Sequence, residues 1–281
     1  MQPGRVLKGT IGVAGALAGV SLAARCVRHH TATRHLENLH DRAETDRGQT
    51  VSADDWADLP EPVRGYFSNV LEPGQSYVDR ARIEQVGRLR PGDADSPWKP
   101  FTATHHVTVD PPGFYWDASV RYLPLVSVGV RDRFAGSESG ASVSLFGVVP
   151  IDAAESSPEL REAELMRYLA EAVWYPTALL PGAGVEWAAI DAETARATVE
   201  HGGTSASLTF TFEDDEVRRV HADQRYRSVD GGFEPTPWTG HWHDYATRNG
   251  VSVPMAGTVT WHPPDGEFQA WQGHVTDIEY H

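Results

Sequence analysis

One cysteine, Cys26, is all the thiol this chain of 281 residues holds. A single sulfur excludes an intramolecular disulfide and any zinc site built from several cysteines, and it leaves the redox compartment open. Lysine is almost as scarce, with Lys8 and Lys99 set against 22 arginines. No glycine-rich phosphate loop occurs, and no segment carries a complete catalytic or cofactor signature. Gly136-Ser137-Glu138-Ser139-Gly140 has the glycine spacing of a hydrolase nucleophile elbow, but its centre is Glu138 and strand-like segments flank it on both sides, so it reads as a polar hairpin turn. His201-Gly202-Gly203 likewise sits where a hairpin should turn.

Negative charge outweighs positive over most of the chain. Residues 1–50 carry seven Lys and Arg against four Asp and Glu, so the remaining 231 residues hold a net −18 of the total −15. An acidic body repels phosphate backbones, which argues against nucleic acid as a partner. Few lysines and many carboxylates suit a salt-loving host, since solvated carboxylates keep a protein soluble when salt screens repulsion; a GC-rich genome explains the arginine bias equally well.

Between Lys8 and Arg25 lie sixteen uncharged residues, Gly9 to Ala24. As a helix they span about 24 Å, and letting Lys8 and Arg25 snorkel extends the span enough for a thin bilayer. Residues 1–28 are therefore expected to be a single-pass membrane anchor, with a cleaved signal or a lipoprotein signal ending at Cys26 as alternatives. Arg25 weighs against the last, because a small residue should precede a modified cysteine. Arginines flank the segment on both sides, so the positive-inside rule does not set its orientation; the extracytoplasmic side is the expectation for the body.

Residues 29–53 are polar and read as a linker, leaving 54–281 as the folded body. Pro60 and Pro62 suit a first helical turn, and Val63, Tyr66, Phe67 and Val70 follow at helical spacing. Alternating segments then run from Tyr77 to Val148 and again from Val185 to Tyr280, about twelve strands in all. Asp110-Pro111-Pro112-Gly113 predicts a hairpin between two of them. Midway stands one apolar-faced helix, 159–180, ending in Tyr168, Trp174 and Tyr175. The fold class is mainly β: a curled antiparallel sheet or half-open barrel wrapped around that helix.

Leu59-Pro60-Glu61-Pro62-Val63-Arg64-Gly65-Tyr66-Phe67, Pro100-Phe101-Thr102-Ala103-Thr104, Asp110-Pro111-Pro112-Gly113-Phe114 and the stretch from Arg167 through Trp174-Tyr175-Pro176 to Pro181 resemble an uncharacterised prokaryotic family of unknown function. That resemblance implies a shared fold and transfers no catalytic residue. The order helix, five strands, central helix and further strands is also similar to the lipoprotein-localisation carriers and related lipid-binding lipoproteins, an analogy of topology that implies a half-barrel holding apolar chains.

Several residues are candidates for chemistry. Trp116, Tyr168, Glu171, Trp174, Tyr175 and Trp187 are expected to line a concave ligand site, since such pockets are mostly apolar and aromatic; Tyr122, Trp242, Trp261 and Trp271 belong to the same aromatic set. Each aromatic is also ordinary sheet core. Glu171, if it faces a cavity, would have a raised pKa and serve as a general acid; the alternative is an i,i+4 ion pair with Arg167. His241 and His243 share one strand face and form a weak metal candidate needing a third ligand, His105 or His262. No cofactor is expected. The expected function is membrane-tethered, non-catalytic binding or carriage of a hydrophobic, lipid-like ligand; a hydrolase using Glu171 or the histidine pair, and a structural or interaction module of the cell envelope, are the alternatives.

Overall fold

The computed structural model describes residues 33–43 and 48–281, apart from 125, 137 and 231. The Gly9–Ala24 segment and Cys26 lie outside the described residues, and the anchor, signal and lipoprotein readings with them. Among the described residues no helix is long and apolar enough to cross a membrane. A helix at 33–42, α1, lies within the expected linker and rests on the sheet: His35 stacks on Tyr115 at 5.5 Å and Arg42 donates to the Ala135 carbonyl at 3.2 Å.

Thirteen strands make one antiparallel sheet. They are β1 (Arg80–Leu89), β2 (Lys99–Thr108), β3 (Gly113–Leu123), β4 (Val126–Ala135), β5 (Glu138–Leu145), β6 (Val149–Ala154), β7 (Val185–Ala189), β8 (Thr194–His201), β9 (Thr204–Glu213), β10 (Glu216–Val229), β11 (Gly232–Arg248), β12 (Val251–Trp261) and β13 (Phe268–Tyr280). Strand β1 pairs with both β2 and β13, so two meanders run outward from the chain's first and last strands to free edges at β6 and β7. A sheet this wide curls, and α3 (Pro158–Glu171) joins the two edges across its concave side. The architecture is the expected half-barrel around a helix.

Period-two alternation explains the agreement. In β2, Phe101, Ala103, His105 and Val107 are buried between more exposed neighbours, and β9 does the same with Ala206, Leu208, Phe210 and Phe212. The unexpected thirteenth strand is β6, whose Val149, Pro150 and Ile151 are exposed on both faces at the sheet edge and so leave no alternation to read. Both glycine-containing turns are hairpins: Ala135 pairs with Glu138, and His201 pairs with Thr204. Helix α2 (Glu61–Val70) buries Val63, Tyr66, Phe67 and Val70 against β8, β9, β10 and β12.

The central helix is shorter than the expected 159–180. Ser157 caps it, its hydroxyl accepting from the Leu160 N–H at 3.1 Å, and α3 ends at Glu171. Three 3-10 turns follow, Ala172–Trp174, Pro176–Leu179 and Pro181–Ala183. Pro176 and Pro181 cannot donate to a continuing helix, and the apolar pattern persists to Leu180 because the first two turns are themselves buried.

Candidate functional site

A cleft of about 280 Å³ opens between α3 and the concave face of the sheet. Five indoles line it, Trp116 from β3, Trp238 and Trp242 from β11, Trp261 from β12 and Trp271 from β13. Two of the rings, Trp242 and Trp271, lie over glycines. Trp242 pairs with Gly257, Gly257 with Gly273 and Gly273 with Gly87, a row of three glycines across adjacent strands. A Cβ at Gly257 would stand 2.6 Å from the Trp242 ring, and one at Gly273 would stand 2.0 Å from the Trp271 ring. The glycines are the space the tryptophans occupy.

The helix side is charged. Glu164, Arg167 and Glu171 recur at spacings of three and four on α3 and face the cleft together. Arg167 donates to Asp132 of β4 at 2.6 Å and to Glu171 at 2.9 Å, and its guanidinium lies 5.0 Å from the Phe114 ring and 5.1 Å from the Trp116 ring. His105, fully buried, sets Nε2 at 3.1 Å from the other Glu171 oxygen, off the line of a hydrogen bond. Burial works to raise the Glu171 pKa, but Arg167 and His105 overcome it and hold the carboxyl at about 2. Glu171 is thus the ionised half of the i,i+4 pair, with no proton to give as a general acid near neutral pH. The raised carboxyl is Glu164. Burial, aided by the charge of Asp132, pushes it up to about 7 against the pull of Arg167 and Arg225, and its Oε2 has no hydrogen-bond partner.

Arg225 enters from β10 through a bulge. Ala222 pairs with Trp238 and Arg225 with Thr236, so two residues of β10 are spanned where β11 has one. In a regular strand of the same sequence, with Ala222 inward, Arg225 would point outward; the bulge reverses it. Turned inward, its guanidinium packs 5.4 Å from the Trp238 ring and 5.3 Å from the Trp261 ring, with Nε donating to the Ala163 carbonyl at 3.1 Å.

Of the residues expected to line a ligand site, Trp116 and Glu171 reach the cleft. Trp174 stands one layer behind, edge-on to Trp242 at 4.9 Å with its ring nitrogen on the Pro254 carbonyl, so the space between Trp174 and the sheet is filled. Tyr168 and Tyr175 are buried core, the Tyr175 hydroxyl donating to the Tyr168 carbonyl at 2.9 Å. Trp187 packs against Phe67 and Phe210 and bonds the Leu179 carbonyl, away from the cleft. His241 and His243 are exposed on the outer face while Trp242 between them points in, so His105, interior on β2, cannot join them. His262 is engaged by Thr239 at 2.9 Å and Glu267 at 3.2 Å. Among the described residues no three His, Cys, Asp or Glu side chains converge as a metal would need. Gln85, His105 and Asp132 occupy inward positions of otherwise apolar alternations, the one sequence signal that marks this floor.

Fold and cleft together define a β half-barrel with a polar-floored aromatic cavity. The chain belongs to the DUF6544 family, a family of unknown function, whose model matches residues 49–273 and so spans every motif on which the family resemblance was drawn. Among curated proteins none matches the sequence. Two solved structures are similar in fold. A DUF1329 family protein from Desulfovibrio piger aligns over 72% of this chain and 86% of its own at 10% identity, with a TM-score of 0.40. A LolA superfamily protein from Nitrosomonas europaea aligns over 82% and 94% at 12% identity, with a TM-score of 0.32, and falls in the group that the element order resembled. Neither likeness is close enough to bear on function.

Proposed function

We propose that the protein binds a hydrophobic, lipid-like small molecule in the cleft, without chemical conversion, and that the segment Gly9–Ala24 tethers it to a membrane with the body on the extracytoplasmic side. The observation that carries the reading is the cleft wall: five indoles converge on one cavity of about 280 Å³ that the packed core leaves open. Such a lining, broken by a few placed polar groups, is what a small apolar ligand needs. Burial of each methylene there contributes about 0.8 kcal/mol. Glu171 is held ionised and paired, and the His241 and His243 pair lies on the outer face, so neither group on which the hydrolytic alternative rested supports it.

Native mass spectrometry of the full chain purified from its own host, followed by solvent extraction, tests the reading. An apolar adduct at one per chain supports carriage. A clean apo mass that stays clean after incubation with extracted host lipid contradicts it. Membrane retention through an alkaline wash, lost on deletion of residues 1–28, tests the tether.

A further inference from the structure

Polar groups at the cleft are not evenly satisfied. Other indoles find acceptors for their ring N–H groups: Trp116, also in the cleft, on Gln85, and away from it Trp56 on Ser68, Trp174 on the Pro254 carbonyl and Trp187 on the Leu179 carbonyl. Trp238 and Trp242, only 4% and 2% exposed, do not. Both line the cleft. A buried donor left without an acceptor costs about 1–3 kcal/mol, so the cleft wall carries polar groups that its packing does not satisfy.

Between these rings and Trp261 sits a cation with spare capacity. Arg167 is saturated by Asp132 and Glu171. Arg225 is not: its one hydrogen bond uses Nε, and among the described residues no carboxylate lies within ion-pair distance of it. Its two terminal amino groups are therefore available as a planar fork of the kind that grips carboxylate or phosphate oxygens. Arg225 also stands at a junction. Together with Glu164 and Trp261 it borders a second cavity of about 280 Å³, lined further by Leu160, Ala163 and Phe233. An anchor at that junction leaves apolar room on either side.

We infer that the cleft takes a single-chain amphiphile with an oxyanionic head group, carboxylate or phosphate, seated on the terminal amino groups of Arg225 between the Trp238 and Trp261 rings. The inference rests on the proposed hydrophobic binding and adds the head group to it. Glu164 is the carboxylate that would compete for Arg225, and burial favours its protonated form, which removes the competition and adds a donor. The cleft, continued past Arg225 by the second cavity of the same volume, leaves room for one extended chain.

All nine tryptophans lie between Trp56 and Trp271, so intrinsic fluorescence reports the body alone in the full chain. Quenching by 12-bromododecanoate and by 12-bromododecanol compares an anionic with a neutral head on the same tail, with dodecyl phosphate as a competitor and inorganic phosphate as a tail-free control. The acid is expected to bind at least about tenfold tighter than the alcohol, as a hydrogen-bonded charge requires. Arg225→Met is expected to abolish that preference while leaving alcohol binding in place, and Arg225→Lys to restore part of it. Dodecyl phosphate displacing the acid more strongly than dodecanoate would assign the head as phosphate, and the reverse as carboxylate. Equal binding of acid and alcohol by the unaltered chain overturns the head-group assignment and leaves hydrophobic binding standing, as does a preference that survives in Arg225→Met. Inorganic phosphate displacing the acid as well as dodecyl phosphate does overturns the amphiphile. Quenching by neither acid nor alcohol overturns both readings.

Discussion

Glu164 and Glu171 lie two turns apart on one helix and titrate in opposite directions. Glu164 has its folded pKa raised from 4.5 to about 7, so the stability it contributes is full below pH 4.5 and is lost as pH rises through 7, by up to about 3 kcal/mol. Glu164→Gln is expected to flatten that decline: urea midpoints at pH 5 and pH 8 should converge in the variant and separate in the parent. Glu171, held at about 2, contributes stability that is present above pH 4.5 and disappears as pH falls toward 2. Arg167→Met leaves Asp132 and Glu171 as buried, unpaired charges and is expected to cost about 3–5 kcal/mol, read from the same denaturation curves at neutral pH. Part of this was legible from the chain. The Arg167–Glu171 spacing announced an ion pair, and the inward positions of Gln85, His105 and Asp132 in alternating strands announced a polar floor. Glu164 hid because a glutamate on a helix is ordinarily a solvated one, and only the packing of α3 against β4, β5, β9 and β10 buries it.

At the scale of elements, two features of the sheet build the site. The first is the bulge between Ala222 and Arg225. Alternation read along β10 places Val220 and Ala222 inward and Arg225 outward, so no sequence pattern reveals that an inserted residue reverses it. Deleting Asp223 should close the bulge with Arg225 still opposite Thr236 and inward, so the anionic preference in the bromododecanoate comparison is expected to persist. The second is the glycine row Gly87, Gly273 and Gly257. Gly273→Ala must move the Trp271 ring or the backbone beneath it, and a cost of about 1–3 kcal/mol with a shifted tryptophan emission maximum is the expected result. The central helix shows the converse. Its apolar run continues to Leu180, yet the segment after Glu171 runs in 3-10 turns, the first two of which, Ala172–Trp174 and Pro176–Leu179, are buried throughout.

For the whole molecule, one order of strands explains where the cavity is. The chain's first and last strands meet at the middle of the sheet, the two halves curl outward from that seam, and α3 bridges the free edges. Close packing of Tyr168, Trp174 and Tyr175 fills the end nearest α2, and the open end is left to tryptophans, two of which lie over glycines. Alternation and helical spacing were enough to foresee a sheet curled round a helix. They placed the cavity at Trp174, because they cannot distinguish an aromatic that fills a core from one that faces a void. The most direct measurement is the anomalous diffraction of the full chain crystallised with 12-bromododecanoate. The account expects one bromine peak within the cleft bounded by Trp242, Trp261 and Trp271, with density for the head group beside Arg225. A bromine peak only on the outer face of the sheet, or density unchanged from the unliganded crystal at saturating concentration, would contradict it.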